Sequence, residues 1–133
     1  MFSIIMYEDE RGRSEIALFF KELSGEMKGS GDARALLQKI VAYLDLLEEM
    51  GTLAGEPVAR YLEGNIWELR TQHARILFAP IGNNTILLLH PVVANADKIP
   101  RKDIEKAKRE LESYVRRRKD NDDMEGSKRG SPS

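Results

Sequence analysis

The sequence predicts an α+β domain: an N-terminal strand and a helical hairpin packed on an antiparallel four- to five-stranded sheet, with a C-terminal helix. Before Pro57 apolar residues recur at helical spacing, and after it they fall into four short extended runs separated by turn chemistry. Beyond Pro100 the helical period returns.

Phe2–Tyr7 is β-branched and aromatic, is stopped by Glu8, Asp9 and Glu10, and reads as the first strand. Ile16, Phe19, Phe20, Leu23 and Met27 then have helical spacing, ended by Gly25 and the Gly29-Ser30-Gly31 cluster. Asp32 is the expected N-cap of a second helix, whose stripe is Leu36, Leu37, Ile40, Val41, Leu44 and Leu47 and whose stop is Gly51. A short Gly-rich turn between two helices makes an antiparallel pair.

Val58–Leu62, Ile66–Thr71, Ala74–Ala79 and Thr85–Val93 are the expected strands of a meander. Glu63-Gly64-Asn65, Gln72-His73 and Gly82-Asn83-Asn84 supply its turns. Ile86-Leu87-Leu88-Leu89 is apolar without alternation, which predicts a central strand covered on both faces. Alternation puts Ile66, Glu68 and Arg70 on one face and Trp67 and Leu69 on the other, with Trp67 in the core rather than a base-stacking platform. Pro100 opens the last helix, whose stripe of Ile104, Ala107, Leu111 and Val115 should dock on the sheet. Glu105 with Arg109, and Glu112 with Arg116, form i, i+4 pairs. Residues 1–119 make the domain, and 120–133, with almost nothing to bury, are expected to be a disordered tail.

Composition narrows the function. The chain has 133 residues, 41% hydrophobic and 32% charged, enough for one core and too short for a two-domain enzyme. It has no cysteine and two histidines, which excludes disulfides, a thiolate zinc site and a cysteine nucleophile. No phosphate-cradling glycine loop, serine elbow or zinc-protease helix occurs, so no metal or other cofactor is expected. With no apolar run approaching the roughly 18 residues of a membrane span and no basic leader, a cytoplasmic protein is expected, without a membrane partner. The net charge of −1 conceals an uneven distribution: −5 over residues 1–56, +6 over 57–119 and −2 over 120–133. The basic stretch suits an anionic partner, although solvated helix charges alone would also account for it.

The polar set on the meander is Arg60, Glu63, Glu68, Arg70, His73, Arg75, His90 and Lys98. A tight connection at Thr71-Gln72-His73-Ala74 would place Arg70 opposite Arg75, within reach of one phosphate. Two guanidiniums can hold a phosphodiester and stabilise the added charge of its transition state. His90 could protonate a leaving 5′-oxygen, and Glu68 or Glu63 could take the proton of a ribose 2′-hydroxyl. The same arginines could instead simply pair with carboxylates.

Four motifs occur in a familiar order: Asn65-Ile66-Trp67-Glu68-Leu69-Arg70, Ala74-Arg75-Ile76-Leu77-Phe78, Leu87-Leu88-Leu89-His90, and a helix from Lys98-Ile99-Pro100 through Arg101, Lys102, Asp103 and Ile104 to Lys108. Over about residues 57–115 this succession resembles the RelE/ParE toxin superfamily, specifically the phage-derived HigB-like branch of toxin–antitoxin systems. The resemblance implies a RelE-like fold and a ribosome-dependent endoribonuclease acting on mRNA without a metal. It also implies a cognate helix-turn-helix antitoxin in an oligomeric complex. Carried over by position, Arg75 is the first candidate for the phosphate-binding arginine, Arg70 the second and His90 a weaker third; Glu68, read from the strand geometry as a proton acceptor, completes the catalytic set. Arg60, Lys98, Arg101 and Lys102 are the RNA-binding candidates.

The sequence departs from that branch where it usually carries a lysine pair after the Leu-His strand end, since Ala94 and Asn95 stand there. Phe78 replaces the usual aromatic hydroxyl. Both changes point to weaker RNA cleavage, and leave two alternatives: a toxin-fold module that binds an antitoxin but cuts nothing, and a gyrase-targeting toxin of the ParE type.

Overall fold

The computed structural model describes residues 1–92 and 98–129, with side chains through residue 121. The element order is β1 (Ser3–Met6), α1 (Glu15–Glu26), α2 (Gly31–Met50), a 3-10 turn (Gly51–Ala54), β2 (Arg60–Glu63), β3 (Ile66–Arg70), β4 (Arg75–Ile81), β5 (Thr85–Val92) and α3 (Arg101–Arg129). The five strands form one sheet in the order β1-β5-β4-β3-β2. The helical hairpin covers one face and α3 the other. No helix among the described residues is long and apolar enough to cross a membrane.

The meander β2–β5 is antiparallel, as the turn chemistry predicts, but β1 pairs with β5 in parallel, Ser3 opposite Thr85 and Met6 opposite Leu88. The sheet is therefore mixed rather than antiparallel throughout. Because β1 leads into a helical hairpin instead of a tight turn, its direction is set by that crossover, which the pattern of β1 itself does not encode. β5 lies inside the sheet, and Ile86, Leu87, Leu88 and Leu89 are fully buried.

The helices are capped by hydroxyls. Ser14 Oγ accepts the Ala17 amide at 3.1 Å, and Ser30 Oγ accepts the Ala33 amide at 3.2 Å. The cap of α2 is thus Ser30, and Asp32, expected there, lies in the first turn, where its charge favours the helix N-terminus. Gly51 stops α2 at φ +59°, and a Cβ there would meet the Phe2 ring at 2.6 Å, so both the backbone and the close approach require glycine.

Two cores sandwich the sheet. Ile16, Ile40, Leu47, Leu69, Ile76, Phe78, Ile86 and Leu88 pack beneath the hairpin, with Trp67 against them. Ile66, Leu77, Ala79, Leu87, Leu89 and Ala107 pack beneath α3. Each fully buried large apolar side chain contributes about 1.5–3 kcal/mol relative to exposure. Val41 and Val115, assigned to buried stripes by spacing, are each 48% exposed, and Tyr43 and Tyr114 pack against the cores instead. The helical backbone of α3 continues past residue 119, the expected end of the domain. The lysine-pair positions, Ala94 and Asn95, lie outside the described residues, as do residues 130–133.

Candidate functional site

Strand register assembles the polar residues on the α3 face in two adjacent rows. Arg60 pairs with Glu68, Glu68 with Leu77, and Leu77 with His90. One step along, Arg70 pairs with Arg75, and Arg75 with Val92. Directly opposed residues of an antiparallel pair share a face. The two arginines therefore stand side by side, as the sequence predicts, at the end of the sheet closed by the β3–β4 turn.

His90 reaches this face through an irregularity. Leu77 pairs with His90 but Phe78 pairs with Leu88, so Leu89 is an extra residue in β5. Strict alternation from Leu87 and Leu89, both beneath α3, would turn His90 toward the hairpin, and the bulge returns it to the α3 side.

Glu68 is only 1% exposed, with Arg60 Nη1 at 3.7 Å from Oε1 and Arg75 Nε at 3.8 Å from Oε2. Burial pushes its carboxyl above the ordinary carboxylate range, against the opposing pull of Arg75, Arg60 and Arg70. Arg75 is buried too, and its Nη1 donates to the Thr71 carbonyl at 3.3 Å. The turn that sets the arginine pair is closed by Thr71, whose amide and Oγ1 both donate to the Ala74 carbonyl while Oγ1 accepts the Ala74 amide. Arg70 is half-buried, and its amide donates to the Pro57 carbonyl at 2.8 Å.

His90 is covered by α3. Its Nδ1 lies 2.5 Å from Glu110 Oε1, and Nε2 lies 3.5 Å from Asp103 Oδ1, with no hydrogen-bond partner among the described residues. Sequence reading missed both carboxylates. Their signal was the spacing around Ala107: residues 103, 107 and 110 share one side of a helix, so two acids flank a small buried residue on the docking stripe.

The other candidates are dispersed. Arg60 is exposed at the sheet edge and also meets Glu56 at 3.2 Å. Lys98 and Lys102 are exposed. Arg101 stands at the β2–β3 turn, the opposite end of β3 from Arg70, held by both oxygens of Glu63 and by Glu105. Lys108 also donates to Glu63. Arg101 and Lys108 together hold the Glu63 carboxyl down to about 2, which makes it a poor proton acceptor. Glu105 is engaged by Arg101, one turn earlier than the expected Arg109. Phe78 is fully buried on the hairpin side, so a hydroxyl at its ring would point away from the arginine pair.

The family model described as "Phage derived protein Gp49-like (DUF891)" matches residues 31–112, a span that runs from the first turn of α2 into α3 and contains both rows. No curated protein matches the chain.

Proposed function

The chain belongs to the phage-derived Gp49-like family, a RelE-like toxin family of toxin–antitoxin systems, and from this premise we propose that it is a toxin that cleaves mRNA on the ribosome. The observation that carries the reading is the direct pairing of Arg70 with Arg75 beside a buried carboxylate. In this reading the two guanidiniums hold the non-bridging oxygens of one phosphodiester. Glu68 takes the proton of the neighbouring 2′-hydroxyl, whose oxygen attacks phosphorus. The bond to the 5′-oxygen breaks, His90 protonates that oxygen, and a 2′,3′-cyclic phosphate remains. Arg60, Lys98, Arg101 and Lys102 neutralise the flanking backbone. The toxin domain is residues 1–119, it works in the cytoplasm, and a helix-turn-helix antitoxin silences it in an oligomeric complex.

A second reading has its own observation. Glu68, Arg75 and His90 are each less than 5% exposed, and His90 is hydrogen-bonded beneath α3. A chain that keeps this cover would bind an antitoxin through the toxin fold and cut nothing.

Induced expression separates the two. Growth arrest with new mRNA ends bearing cyclic phosphate, relieved by Arg70→Ala in a variant that keeps its circular dichroism spectrum, is the expected result. An intact mRNA pool during full expression would establish the binding module. DNA damage without mRNA cleavage would point to the gyrase-type target.

A further inference from the structure

We propose that the cleft between the first turns of α2 and the β3–β4 turn is a subsite for a single guanine base, across that turn from the phosphate seat at Arg70 and Arg75. This rests on the RNA reading above and names the recognition that the arginine pair cannot supply, since phosphate contacts position a strand but carry no sequence information.

The cleft holds about 180 Å³ and is lined by Asp32, Leu36, Lys39, Thr71, Gln72 and His73, with Ala35 beside them. Pockets for larger ligands begin at about 300 Å³, so this one suits one planar heterocycle. Its turn wall starts at the residue after Arg70 and ends two residues before Arg75. The doubled Thr71–Ala74 hydrogen bonding fixes that wall.

The lining chemistry selects the base. Ala35 and Leu36 offer an apolar surface to a ring face, and His73 is an exposed aromatic partner for the other. One carboxylate, Asp32, and one ammonium, Lys39, leave the cleft with no excess charge, which suits a neutral base better than a phosphate. Of the four RNA bases only guanine presents two adjacent N–H donors, at N1 and N2, which match the two oxygens of Asp32. Its neighbouring O6 accepts from a donor such as Lys39 or the Gln72 amide. A second hollow of about 280 Å³ shares Asp32, Leu36 and His73 and extends to Leu23 and Glu26. Its two carboxylates repel phosphate, so the backbone is kept on the arginine side of the turn while a base crosses to the hairpin side.

Nucleosides test the subsite without involving the arginines. Guanosine, adenosine, cytidine and uridine are titrated separately into the isotope-labelled full chain and followed by amide chemical shifts. Guanosine is expected to shift residues 32–39 and 71–73, with at least about tenfold weaker binding of the other three nucleosides. Asp32→Ala should remove this preference while leaving the shifts of the sheet in place. Equal binding of all four nucleosides, shifts confined to other surfaces, or no shift at all would overturn the proposal. Guanosine binding here in a chain that leaves mRNA intact would refute the nuclease reading and keep the subsite. RNA cleavage without guanosine shifts would do the reverse.

Discussion

Glu110 on α3 and His90 on β5 are joined by a 2.5 Å hydrogen bond across the helix–sheet interface, where His90 is 1% exposed. This bond ties α3 to the row that holds Glu68, because the strand and the helix each supply one buried polar partner. Removing one partner strands the other away from water, which is the costly way to lose a hydrogen bond.

Glu110→Ala is therefore expected to lower stability by about 2 kcal/mol or more, read as a lower urea midpoint. Glu110→Gln keeps an acceptor for Nδ1–H and should lose less. Equal midpoints for Glu110→Ala and the parent chain would show that the bond contributes nothing to α3 docking.

Glu68 gives a stability slope with a definite sign. Its carboxyl is held above the ordinary value of 4.5 by burial, so the folded chain keeps a proton that the unfolded chain has already released. Stability from this group is greatest below the unfolded value and falls as pH rises through the folded one. Glu68→Gln should flatten that fall when urea midpoints are compared on both sides of the window.

Glu63 behaves in the opposite sense. Arg101 and Lys108 hold it down to about 2, so its stabilisation is complete above 4.5 and is lost as pH falls toward the folded value. The carboxyl carbon resonance of Glu63 should titrate with a midpoint of about 2. Arg101→Ala should move that midpoint toward 4.5.

Phe78→Tyr tests whether the missing aromatic hydroxyl matters. Phe78 is fully buried among Ile76, Leu88 and the hairpin, on the face opposite Arg75. A hydroxyl placed there without a partner should cost about 1–3 kcal/mol. If the chain cleaves RNA as proposed, cleavage per folded molecule should stay unchanged, and a gain in cleavage would mean that the ring reaches the arginine side.

The same division between local and long-range information explains what the sequence could convey. Turns at Gly64-Asn65 and Gly82-Asn83, the stop at Gly51 and the facing of Arg70 toward Arg75 follow from residues close in the chain, and the structure has each of them. The partners of His90 do not, because Asp103 and Glu110 arrive on another element and the bulge at Leu89 leaves no mark in an unbroken apolar run. The α2 cap was ambiguous locally, since Ser30 and Asp32 are both capping residues, and the hydroxyl won. Sequence alone offers both Glu63 and Glu68 as proton acceptors, although only Glu68 enters the catalytic set. The docking of α3, which brings Arg101 and Lys108 to Glu63, sets them apart.

The parallel pairing of β1 with β5 has a temporal consequence. Ser3, synthesised well before Thr85, waits for it before its strand has a neighbour. Joining chain segments this far apart is a slow, late event compared with the closing of the three hairpins. While a ribosome is still producing β4, the nascent chain has neither a completed sheet nor His90, so the two polar rows are complete only after β5 has been made. An antitoxin that recognises the finished sheet would meet its target at that moment, and the hairpins formed earlier would be ignored.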